Sequence, residues 1–143
     1  MDIHSKGETI VTTELYWLTL TVLMTALFWV PYILDRLIVR GLWLTLAATP
    51  PDSGEPQSSW AQRAIKAHQN AVENLAVFVP AVLVAHLLNI STPATKMAVV
   101  VYFFARLIHF LVYLAGIPVA RTLAFTAGWV AQIVILASIL HWI

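Results

Sequence analysis

The stretch Arg63-Ala64-Ile65-Lys66-Ala67-His68-Gln69-Asn70-Ala71-Val72-Glu73-Asn74 runs directly into the apolar segment Leu75 to Leu88, so one helix carries ionisable groups into what reads as bilayer. An ionisable side chain at that depth costs roughly 2.5–3.5 kcal/mol on insertion scales, and Lys66 and Glu73 therefore need a partner, a water-filled cleft or a polar ligand. At about 3.6 residues per turn, Arg63, Lys66, Asn70 and Glu73 share one stripe, while His68 points away from it.

The composition around this stretch sets the class. Of 143 residues, 60% are hydrophobic and only 10% charged, too few to solvate a globular surface of that size. With a mean hydropathy of +0.82 the chain reads as an all-α integral membrane protein. The absence of cysteine excludes disulfides, thiolate metal sites and a protein thiol nucleophile, so any sulfur chemistry has to use a ligand's sulfur. A net charge of +1 offers no broad basic surface for nucleic acid, and neither a glycine-rich phosphate loop nor a paired-His metal motif is present.

Apolar runs and their punctuation predict four transmembrane helices, at about 14–39, 59–88, 93–114 and 119–141, in a single domain covering 1–143. Pro31 should bend the first near one end. Ser58 or Ser59 offers a hydroxyl cap for the second, and Pro93 suits the first turn of the third. The first helix does not read as a cleavable leader, since its start is acidic and mixed and no small-residue cleavage site follows. Arg36, Arg40, Arg63, Lys66 and Arg121 fall on one side and only Lys6 and Lys96 on the other. The positive-inside rule then puts both termini outside the cytoplasm and the 40–58 loop within it. Trp17, Trp43, Trp60 and Trp142 lie near helix ends, as interfacial anchors do.

Two further polar stripes accompany the first. Tyr102, Arg106, His109 and Tyr113 line one face of the third helix; Arg121, Phe125, Gly128 and Gln132 line one face of the fourth, with Thr122 beside Arg121. Three such stripes in one small bundle suggest a shared polar cleft. Each has a plainer reading: Arg106 can pair with Glu73 as a buried ion pair, and Arg63 and Lys66 can snorkel to lipid phosphates. His86, remote from the stripes, reads as a hydrogen-bonded packing residue.

The segment from Arg63 to Asn74, with a basic residue followed by Ala, Asn and Glu at helical spacing, resembles the second-helix signature of the MAPEG family, the membrane-associated proteins in eicosanoid and glutathione metabolism. Arg106, His109 and Tyr113 resemble its third-helix pattern, and Arg121-Thr122 resembles the Arg-Ser or Arg-Thr pair that opens its fourth helix. The likeness covers essentially the whole chain, as a bacterial-type member of an inner membrane. It implies a homotrimer surrounded by membrane lipids, with glutathione as cosubstrate in clefts between subunits and a lipophilic small-molecule substrate.

In that picture Asn70 and Glu73 hold the ligand's backbone and amino group, Lys66, Arg106 and Arg36 or Arg40 its carboxylates, and His109 and Tyr113 complete the pocket. Arg121 and Thr122 would be the catalytic pair, a cation and a hydroxyl donor that favour the ligand's thiolate. The implied activity is a glutathione-dependent transferase or peroxidase acting on lipophilic electrophiles or hydroperoxides. Lys66 and Gln69 stand where other members often carry arginine, Phe125 where some carry tyrosine, and Ala76 where proline is frequent. Those departures motivate the rival reading, a non-catalytic lipid-binding or scaffolding protein of the same fold. A channel or transporter ranks third, since no discontinuous pair of helices marks a transport path.

Overall fold

The computed structural model describes residues 11–47 and 54–143. His4, Lys6 and the centre of the 40–58 loop, with Pro50 and Pro51, lie outside the described residues. Helix α1 (Thr13–Leu27) begins where the Thr12 side chain accepts from the Leu15 N–H at 3.3 Å. Helix α2 (Val30–Leu46) follows after a break at Phe28 and Trp29, so the stretch expected as one bent helix over 14–39 is two helices.

Proline is the physical reason for that break. Pro31 has no N–H to give to the carbonyl one turn back, and its ring crowds that carbonyl. The Phe28 N–H turns to the Thr25 carbonyl at 3.1 Å, and Ile33 N–H restarts the ladder on Trp29 at 3.1 Å. A second interruption falls at Gly41, whose φ of 78° and ψ of 169° suit glycine.

Helix α3 (Ser59–Leu87) starts after Ser58, but no serine hydroxyl caps it. The Ser58 N–H instead donates to Asp35 Oδ2 at 3.1 Å, Gln57 Nε2 donates to the Tyr32 carbonyl at 2.7 Å, and Tyr32 Oη pairs with His68 Nδ1 at 2.9 Å. The start of α3 is thus tied to α2. Helix α4 (Pro93–Ala115) opens with a reciprocal capping box between Thr92 and Thr95. It closes at Gly116, φ 74°, after which Pro118 begins α5 (Pro118–Ile139).

Arg63 explains how α4 ends. Its Nε donates to the Leu114 carbonyl at 2.8 Å, satisfying one of the acceptors a helix C-terminus leaves open, so this side chain ties α3 to α4 and is not simply an interfacial charge. Arg63→Met keeps the stem and loses the charge-assisted bond. The expected loss is roughly 1.5 kcal/mol, read as a lower thermal midpoint in detergent; an unchanged midpoint would return Arg63 to the lipid interface.

Four stretches of the described residues are long and apolar enough to cross a membrane: Thr13–Leu46, Ser59–Leu87, Pro93–Ala115 and Pro118–Ile139. They pack through small side chains, as helices in lipid do when van der Waals contact must replace the hydrophobic effect. Buried Ala64, Ala67 and Ala71 let α3 approach a stacked pair, Phe28 and Phe110, whose centroids are 3.8 Å apart. The larger core sits towards the other end, where Phe78 stacks on Tyr102 at 3.6 Å beside Leu18, Val82, Val99 and Ile135. Trp17 packs its ring edge against Phe103 at 5.2 Å, so it belongs to this core's margin as well as to the helix end.

Candidate ligand-binding cleft

A cleft of about 390 Å³ opens where α3, α4 and α5 meet, near the end of the bundle that carries the α2–α3 connection. Lys66, Gln69, Asn70 and Glu73 line it from α3, His109 and Tyr113 from α4, and Arg121, Thr122 and Phe125 from α5. Part of each polar stripe therefore reaches one cavity, whereas Arg63, Tyr102, Arg106, Gly128 and Gln132 of the same stripes do not line it. Its volume falls within the rough 300–1,000 Å³ range of small-molecule sites.

Behind the cleft lies Arg106, only 2% exposed. Its Nη1 donates to Asn70 Oδ1 at 3.2 Å, and its Nη2 makes a long contact of 3.4 Å with the Phe125 carbonyl. The rings of Tyr102 and Phe125 flank it at 5.3 and 5.2 Å. Its Nε is buried with no acceptor, and among the described residues no carboxylate pairs with it. The Arg106–Glu73 ion pair considered from sequence is not formed; Glu73 stands exposed on the cleft.

Asn70 is held in a defined orientation. Asn74 Nδ2 donates to the Asn70 carbonyl at 2.8 Å, and Gln132 Nε2, from α5, secures the Asn74 carbonyl at 3.0 Å. Because Asn70 Oδ1 faces the Arg106 guanidinium, its amide NH2 is the group left to donate elsewhere. Neither Asn74 nor Gln132 touches the cleft; these bonds tie down the backbone of α3, while the Asn70 side chain itself is held through Oδ1 by Arg106 at 3.2 Å and by Asn74 Nδ2 at 3.4 Å.

At the rim, the Arg121 guanidinium lies 4.7 Å over the Tyr113 ring, which keeps the cation close to the cavity without a carboxylate partner among the described residues. His109, 3% exposed, sets its ring edge towards Tyr113 at 5.6 Å and tilts against Phe125 at 6.2 Å. The Thr122 hydroxyl donates to the Pro118 carbonyl at 3.1 Å, so it presents lone pairs outward unless it rotates. Arg36 does not line this cleft within one chain; it lies on α2 with a buried Nε that lacks an acceptor among the described residues.

Gly128 is the neighbour that residue type alone did not bring forward. A Cβ at that position would stand 2.7 Å from Arg106 Nη2 and 2.9 Å from its Nε, so the missing side chain is the space the guanidinium occupies. His86, expected as a hydrogen-bonded packing residue, is instead exposed and lines a separate small cavity at the opposite end of α3.

In sum of charge, the cleft and its inner wall set Lys66, Arg106 and Arg121 against the single carboxylate of Glu73. That balance favours an anionic ligand carrying one amino group. Among the described residues no cluster of three His, Cys, Asp or Glu side chains could hold a metal. No curated protein and no solved structure shows significant similarity to the chain. Residues 15–141 of its 143, however, match the MAPEG family, and with four membrane-length helices this chain is an integral membrane protein that belongs to that family.

Proposed function

We propose that the chain is a membrane-embedded, glutathione-dependent transferase or peroxidase for lipophilic electrophiles or hydroperoxides, working as a homotrimer. The observation that carries this reading is the buried Arg106 with no anionic partner among the described residues, set behind a cleft that also offers Lys66 and Arg121. A buried charge without its counter-charge costs several kcal/mol, and a ligand carboxylate removes that cost. Glutathione has two carboxylates and one ammonium, a charge pattern that complements three cations and Glu73.

The roles follow from what each side chain has to offer. Lys66 and Arg106 bind carboxylates, Glu73 takes the ammonium, and the Asn70 NH2 donates to the ligand's backbone. When bound, glutathione supplies a sulfur nucleophile. Arg121 stabilises negative charge at the cleft mouth, while Thr122 contributes a donor only by leaving the Pro118 carbonyl. The cleft lies open along the side of one chain; a neighbouring copy would close it and could bring Arg36.

Glutathione titration of the detergent-solubilised protein, followed by thiolate absorbance, tests the reading. A saturable signal is expected in the wild type, absent in Arg121→Ala and shifted to about tenfold higher glutathione in Glu73→Ala. Thr122→Val should weaken it less than Arg121→Ala, given the hydroxyl's bond to Pro118. The rival reading, a lipid-binding scaffold, draws support from two apolar grooves of about 440 and 430 Å³ between α4 and α5. A protein that shows no thiolate signal and no glutathione binding, yet holds lipid there, would be the scaffold.

A further inference from the structure

At the far end of the bundle from the cleft, the start of α1, the end of α3 and the start of α4 enclose a cavity of about 120 Å³ lined by Thr12, Glu14, His86, Asn89, Ile90 and Ser91. Glu14 is 4% exposed. Its Oε1 accepts from Ser91 Oγ at 2.9 Å and Thr95 Oγ1 at 2.8 Å, which links α1 to the first turn of α4. Its Oε2 is buried and has no partner among the described residues.

That half-satisfied carboxylate is the feature to explain. As a carboxylate, Oε2 lacks a donor; protonated on that oxygen, it would lack an acceptor, so neither form is complete among the described residues. A purely structural link between α1 and α4 needs only Oε1. The remaining groups around the cavity are acceptors or can act as such: the Ser91 oxygen, whose hydrogen is committed to Glu14, the Asn89 amide oxygen and the His86 ring.

We propose that this cavity binds a primary ammonium group, –CH2–NH3+, with Glu14 Oε2 as its charged acceptor. Three N–H donors on one small cation match one carboxylate oxygen and the neutral acceptors beside it. Anions are repelled by Glu14, and a quaternary ammonium has no N–H to give. A divalent metal would want more anionic or imidazole ligands than Glu14 and His86 supply, and the described residues hold no larger group. Oε2 is closed to a water-sized group even from the cavity, so the ammonium reaches it only by displacing the side chains that stand between them. The ammonium can belong to a lipid headgroup or to a soluble amine, and Lys96 stands exposed on the first turn of α4, at the end where a headgroup phosphate would lie.

The full-length protein in amine-free detergent is heated with ethanolamine, with phosphatidylethanolamine or with phosphatidylcholine, since a ligand that binds only the folded state raises its midpoint. A primary amine should stabilise the wild type, with affinity about tenfold or more weaker in Glu14→Gln, and phosphatidylcholine should have no effect. Activity of ethanolamine by itself identifies a soluble amine as sufficient; activity of phosphatidylethanolamine only identifies the lipid. Should Glu14→Gln fail to fold, Asn89→Gly serves, because glycine accepts the φ of 56° found there and leaves the Glu14 bonds to Ser91 and Thr95 intact. No response of the wild type to either primary amine, or an equal response in these variants, overturns the proposal. Glutathione binding in the distant cleft is untouched by either outcome.

Discussion

Arg106→Met is expected to raise the thermal midpoint of the ligand-free protein while abolishing its response to glutathione. The two effects share one cause. In the free protein the guanidinium is 2% exposed, bonded to Asn70 Oδ1 and near the Phe125 carbonyl, with Nε unsatisfied and no carboxylate beside it among the described residues. Replacing a buried, poorly compensated charge with an apolar side chain of similar length is commonly neutral or stabilising by roughly 1–4 kcal/mol, reduced here by the acceptor left on Asn70. Removing the charged partner of a bound carboxylate costs about 2–5 kcal/mol, at least roughly thirtyfold in affinity. Differential scanning of the free protein and glutathione titration read the two signs separately. A variant that melts lower and still binds would make Arg106 a structural residue and leave the proposed function without its main support.

The residues that signal this site in the sequence are those whose spacing is local. Asn70 and Glu73, Arg106 and His109, and Arg121 and Phe125 repeat at helical intervals, so periodicity puts each set on one face before any fold is known. Long apolar runs disclose the membrane helices in the same way. What stays hidden is every feature set by a distant partner. Ser58 looks like a cap, yet its N–H meets Asp35, which comes from another helix. Arg63 looks interfacial because nothing nearby in sequence announces the Leu114 carbonyl. Glu14 looks like an ordinary first-turn acid, since Ser91 and Thr95 lie more than half the chain away. The interruption before Pro31 is different, since proline announces it locally: the expected bend is there, and only its extent, a break at Phe28 and Trp29, is not legible in an apolar run where hydropathy stays high.

Gly128→Ala is the second large effect, and its sign runs against ordinary helix energetics. A glycine inside a helix is normally improved by alanine by about 0.5–1 kcal/mol, because the chain loses less freedom on folding. Here the new methyl would sit 2.7 Å from Nη2, 2.9 Å from Nε and 3.2 Å from Cζ of Arg106, so the guanidinium has to move. Arginine ends are flexible, but this one is enclosed by the Tyr102 and Phe125 rings and anchored on Asn70, and any displacement lengthens that 3.2 Å bond. The variant should fold, gain nothing in stability and bind glutathione about tenfold more weakly. A double-mutant cycle separates this from a general disturbance of α5: in the Arg106→Ala background, where the guanidinium and the stem beside Gly128 are both gone, Gly128→Ala should cost no further affinity and should recover the usual alanine gain in stability. Additive effects in that cycle would show that Gly128 acts on the helix itself and does not position Arg106.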